Sequence, residues 1–251
     1  MSLFKSGNPA LSEKAFSTSI PVDYTERMTL RGTLNKFGFM LLMLMGTAYY
    51  SWKEYANGGN VQGLMLTGLI GGFILALVII FKKEWAPYIA PAYALMEGLF
   101  LGAVSAVYSY AFEKIAPNLI MNAVGLTFGT AIAMYLLYSL RIIRATERFK
   151  SVIITATVGI AIFYLIAMVL RMFGVQMAFL HEGSTLGIVF SLVVVAIAAL
   201  NLILDFDRIE QASEAGAPKS MEWYGAFGLM VTIVWLYLEI LRLLSKLSDR
   251  K

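Results

Sequence analysis

The chain has 251 residues, 59% of them hydrophobic and only 14% charged, whereas soluble domains carry roughly 25% charge; its mean hydropathy is +0.73. One histidine and no cysteine leave no disulfide, no thiolate chemistry, no clustered zinc ligands and no haem attachment. The net charge of +4 lies in short segments between apolar runs, so it reads as a topology signal rather than a nucleic-acid surface.

Residues 1–32 are polar and contain Pro9 and Pro21. They lack the apolar core of a signal peptide, so they read as a cytoplasmic leader and the first span must direct insertion. Seven stretches then offer the roughly 20 apolar residues that a bilayer crossing needs: 33–52, 61–81, 86–112, 119–140, 152–173, 184–207 and 224–247, with 248–251 as a tail. Their apolar runs are continuous and do not alternate with polar residues, which selects helices over barrel strands. The expected fold is an all-α integral membrane bundle of seven helices, 33–247, bathed in lipid. Glycines four apart, Gly68/Gly72, Gly98/Gly102 and Gly125/Gly129, would let helix backbones approach closely.

A carboxylate inside a bilayer costs at least about 2.5 kcal/mol, so each one needs a reason. Glu97, in ALMEGLFLG of the third span, falls about 15 Å along its helix, near the midplane. The loop after the fifth span carries the sole histidine, His181, beside Glu182. In the sixth span, NLILDFDRIE places Asp205 and Asp207 about 200° apart around the helix, so the two cannot face the same way. Asn201 shares the face of Asp205, which makes Asp205 the inward candidate and Asp207 the more exposed one. Arg208 can reach the same side. In the last span, WLYLEILRLL carries Glu239, with Arg242 one turn later as a local ion partner.

Carboxylates brought together in a low dielectric repel, and one of them then retains its proton. Ionised, they are hard oxygen ligands suited to calcium, with Asn201 or backbone carbonyls nearby. Glu97 and Asp205 are the candidate metal ligands on this reading, and Glu239, Asp207 and Asn201 complete the candidate ion or proton pathway.

With the N-terminus in the cytoplasm, thirteen Lys and Arg fall on the inner side and three, Lys53, Lys114 and Arg171, in outer loops. That bias sets the orientation of the first six spans. The tail cations Arg242, Lys246, Arg250 and Lys251 end outside after a seventh crossing, or inside if the last segment re-enters.

LMEGLFLG in the third span, NLILDFDRIEQ in the sixth and GAPKSMEWYGAFGLMVTIVWLYLEILRLLSKL at the end, together with NPALSEKAF in the leader, resemble the YccA-like branch of the Bax-inhibitor family. The resemblance covers nearly the whole chain. It implies six helices surrounding a central seventh and association with pH-sensitive calcium leak. It also implies suppression of cell death in eukaryotes, and binding to a membrane-bound AAA protease in some bacteria. Of the family's two gating aspartates, Asp205 in LDFDRI matches the first. For the second, matching LYLE to LYLD selects Glu239, whereas aligning the EWY and ILRLL flanks puts Thr232 or Val234 opposite it and makes Glu97 the partner to test.

Two functions compete. One is a pH-sensitive cation leak or exchange pathway in a bacterial inner or plasma membrane, with calcium as the transported ion and no resident cofactor. The other is a non-conducting regulator that binds membrane proteases or other membrane proteins. An intramembrane enzyme is not expected, because the chain has neither HExxH nor GxSxG.

Overall fold

A computed structural model describes residues 27–174 and 184–250. Most of the leader, with the NPALSEKAF motif, and the His181 and Glu182 pair lie outside the described residues. Seven long helices make up almost all of the rest: α1 (Leu30–Ala56), α2 (Val61–Phe81), α3 (Ala86–Ala111), α4 (Leu119–Ser139), α5 (Glu147–Met172), α6 (Thr185–Glu214) and α7 (Met221–Ser248). A 3-10 turn, Lys83–Trp85, leads into α3. Among the described residues the only strand-like pairing is an isolated bridge between Arg27 and Pro218.

Helix starts follow local capping chemistry. Thr29 caps α1 by accepting from the Gly32 N–H, Asn60 caps α2 by accepting from those of Gln62 and Gly63, and Thr146 caps α5 by accepting from that of Phe149. Each satisfies donors that have no partner within the helix. Several helices outrun the spans expected from sequence. α1 begins at Leu30 rather than 33, α5 at Glu147 rather than 152, and α6 continues to Glu214 rather than ending at 207. Hydropathy marks what lipid covers, whereas helical hydrogen bonding runs on through polar residues such as IEQASE.

Six of the seven helices are long and apolar enough to cross a bilayer; α1 is the exception. Lys36, Lys53 and Glu54 near its ends lower its hydropathy. In α2, α4 and α5 only 11–17% of the apolar window is buried by protein, and Leu69, Ile70, Phe73, Met121, Ile162 and Leu165 lie exposed. Apolar surface on that scale requires a lipid solvent. α7 is the opposite case, with 67% of its window buried. It is also one uninterrupted helix of 28 residues, about 42 Å long, so the last segment contains no re-entrant turn.

By internal contacts the chain forms two compact units. One combines 112–204 with 232–251, and the other combines most of the first half, through Ala111, with 205–231. In the second unit α3 packs against α1 through its own Gly98 and Gly102, and against α2 at Gly68 of α2. A Cβ at Gly68 would come 2.6 Å from the Met96 carbonyl oxygen, and Cβ atoms at Gly98 and Gly102 would fall on the Leu44 and Ala48 carbonyl oxygens. Those two pairs therefore perform the close approach read from the sequence. Gly125 and Gly129 do not, since nothing lies within 4 Å of a Cβ at either. In the first unit, Ile153, Ile154 and Leu204 form a buried cluster packed by Phe149, Ile197 and Leu200.

Candidate functional site

The four sequence-selected carboxylates occupy four different environments. Glu97 sits eleven residues into α3, about 16 Å along it, and is half-buried. Tyr93, one turn earlier on the same face, is hydrogen-bonded to its carboxylate. The Tyr93 ring in turn meets Phe227 of α7 edge-on, with centroids 4.9 Å apart. Across on α2, a Cβ at Gly72 would lie 2.9 Å from Glu97 Oε2, so the absence of a side chain at Gly72 makes the space the carboxylate occupies. Among the described residues no cation accompanies Glu97.

On α6 the phase read from the sequence holds. Asp205 is 0% exposed and Asn201 is buried with it, while Asp207 is half-exposed and accepts from Gln211 Nε2 at 2.6 Å. Asn201 Nδ2 donates to Thr157 Oγ1 on α5 and to the Ile197 carbonyl, each at 2.8 Å. Its amide is therefore committed within the first unit. Arg208 is buried as well.

Glu239 is 2% exposed and fully engaged. Arg242 Nη1 donates to its two carboxylate oxygens at 2.8 and 2.9 Å, and the Tyr164 hydroxyl of α5 reaches them at 3.0 and 3.1 Å. Arg242 also lies over the Tyr164 ring, 5.2 Å from its centroid. The local ion partner expected from the sequence is thus present, with a phenol from another helix added to it. One turn further on, Lys246 is 1% exposed and donates to the Gly187 carbonyl at 3.1 Å and to Ser191 Oγ at 2.8 Å. Two of the four tail cations are therefore held by protein groups rather than lying in a loop.

Sequence reasoning missed Tyr93, Tyr164 and Lys246. Tyr93 carried a usable signal, its i−4 position relative to Glu97. Tyr164 carried none, because its helix has little amphipathic phase from which a facing direction can be read. Among the described residues no three His, Asp or Glu side chains come together.

A comparison with curated proteins found no significant match. The family model for Bax inhibitor 1 like proteins, however, matches residues 8–249, which takes in all seven helices and each carboxylate described above. The chain is a multi-pass membrane protein that belongs to the Bax inhibitor 1 like family.

Proposed function

We propose that the chain is a pH-sensitive cation pathway, a leak or exchanger, with calcium as its cargo and with Glu97 and Asp205 as the groups that handle proton and ion. The observation that carries this reading is Glu97. It is a carboxylate midway along a helix apolar enough to cross a bilayer, with a tyrosine for company and no cation among the described residues. An intramembrane acid of that kind can gain or lose a proton without stranding an opposite charge, which a static ion pair cannot do. Asp205, fully enclosed on α6, supplies a second acid in the same unit. A cation that passes single carboxylates as cargo needs no cage of three or more ligands.

The same reading places the protein in a cell membrane with a cytoplasmic N-terminus and takes α1 as a seventh crossing. At 27 residues α1 is about 40 Å long, and its charged residues sit toward the ends. On this reading a continuous α7 carries the C-terminus to the outer side. The usual objection, cations on the outer side, weakens because Arg242 and Lys246 are bound within the fold. The heavily buried α7 supports six helices arranged around a seventh.

Reconstitution into liposomes loaded with a calcium dye, across a pH series, tests the proposal. Calcium entry that changes stepwise between neutral and acidic pH, and that Asp205→Asn diminishes, is the expected result. Absence of flux at every pH replaces the proposal with the non-conducting regulator of membrane proteases or other membrane proteins.

A further inference from the structure

Where α1 and α7 begin, the second unit carries a groove that the carboxylate chemistry does not use. It encloses about 640 Å³, and its cationic lining is Arg31, Lys36 and Lys219. Glu222 is its one carboxylate, 2% exposed and already taken. Lys36 forms an ion pair with it, and the Thr29 backbone N–H and hydroxyl both donate to Oε1 at 3.0 Å. Gly32 keeps that arrangement possible, because a Cβ there would overlap the Glu222 carboxyl group. Three cations against one carboxylate leave the groove at +2. Arg31 and Lys219 are exposed and pair with no carboxylate among the described residues.

The rest of the groove is aromatic. Phe39 meets Trp223 edge-on with centroids 6.2 Å apart, and Lys36 Nζ lies 5.6 Å from the Trp223 ring centre. Beyond it α1 carries on a single outward stripe: Arg31, Asn35, Phe39, Leu42, Met45 and Tyr49 are all exposed at steps of three and four residues. From Arg31 to Met45, about 21 Å, that stripe passes from charged to aromatic to aliphatic. The order matches the layers of a lipid leaflet, with aromatic residues at the headgroup boundary and apolar ones below it.

We propose that this groove seats the headgroup of an anionic phospholipid, with Arg31 and Lys219 as ligands of its phosphate and the acyl chains running along Phe39, Leu42 and Met45. Charge complementarity and the adjoining apolar stripe favour a lipid over free phosphate, which has no use for the stripe. The cytoplasmic orientation proposed above puts the site in the leaflet richest in anionic lipid. The proposal is independent of conduction, so a failed flux assay leaves it standing.

The test is native mass spectrometry of the full chain in neutral detergent with equal amounts of phosphatidylglycerol and phosphatidylcholine. The protein is expected to retain phosphatidylglycerol preferentially. Joint Arg31→Gln and Lys219→Gln substitution should cut the preference roughly thirtyfold, at about fivefold per cation. The charge-keeping pair Arg31→Lys and Lys219→Arg should preserve it, which separates lost charge from lost folding. Because the chain has no cysteine, Asn35→Cys bearing a photo-crosslinker reports the occupant directly, and a phosphatidylglycerol adduct is expected. Equal retention of the two lipids by the parent protein, a preference that survives the Gln pair, or displacement by millimolar inorganic phosphate would each overturn the proposal. So would cross-links to residues 1–26 or to a second copy of the chain in place of lipid.

Discussion

Glu97 on α3, half-buried, and Glu239 on α7, buried, are both acids within apolar helices and differ in company. Glu239 has a guanidinium at 2.8 Å and a phenol at 3.0 Å. Glu97 has a phenol and, among the described residues, no cation. Protonating Glu239 strands Arg242 beside a neutral acid, so its charge is held by a partner on its own helix. Protonating Glu97 strands nothing. On the proposed function, the difference separates an acid that fixes a helix in place from one that exchanges a proton, and gating falls to Glu97 rather than Glu239.

The largest effect expected from breaking this contrast is on the paired side. Arg242→Met leaves the Glu239 carboxylate buried without its cation and should lower stability by roughly 3 kcal/mol, read from thermal unfolding in detergent. Combining it with Glu239→Gln should recover most of that loss. A double variant as unstable as the single one would mean that Arg242 acts through packing rather than charge. On the other side, the glycines that bring α1 and α2 against the Glu97 helix come next. Gly102→Ala sets a methyl group on the Ala48 carbonyl oxygen and should cost about 1–3 kcal/mol. Tyr93→Phe removes only the hydroxyl that reaches Glu97 and should cost about 1 kcal/mol in the same unfolding measurement. Gly125→Ala is the smallest and has the opposite sign. Nothing lies within 4 Å of its Cβ, so the helix should gain a few tenths to about 1 kcal/mol.

The seven helices were legible because lipid imposes a simple rule, a continuous apolar run of fixed length, and 61–81 matches α2 residue for residue. Where polar residues extend a helix, as in α6 beyond Asp207, the rule is silent. Asp205 and Asp207 could be ordered because helix phase sets two residues 200° apart on opposite faces, and Asn201 marks the face of Asp205 as the inward one. Gly125 and Gly129 repeat the spacing of Gly98 and Gly102 but meet no neighbour among the described residues, since spacing states what a helix could accept and not what packs against it. Glu222 was passed over as part of the EWY motif. Its partners Thr29 and Lys36 stand 193 and 186 residues away, and no local pattern announces a contact of that range. The Glu239 pair was visible because Arg242 is only three residues distant, and the Tyr164 hydroxyl was not, because it comes from another helix.

Calcium flux into liposomes, measured across the same pH series for Glu97→Gln and Glu239→Gln beside the parent protein, bears most directly on the contrast between the two acids. Glu97→Gln should suppress flux and remove its pH step, while Glu239→Gln leaves the step in place. A Glu97→Gln protein that conducts and responds to pH like its parent, or a step that vanishes with Glu239→Gln alone, would contradict the assignment of the exchangeable proton to Glu97.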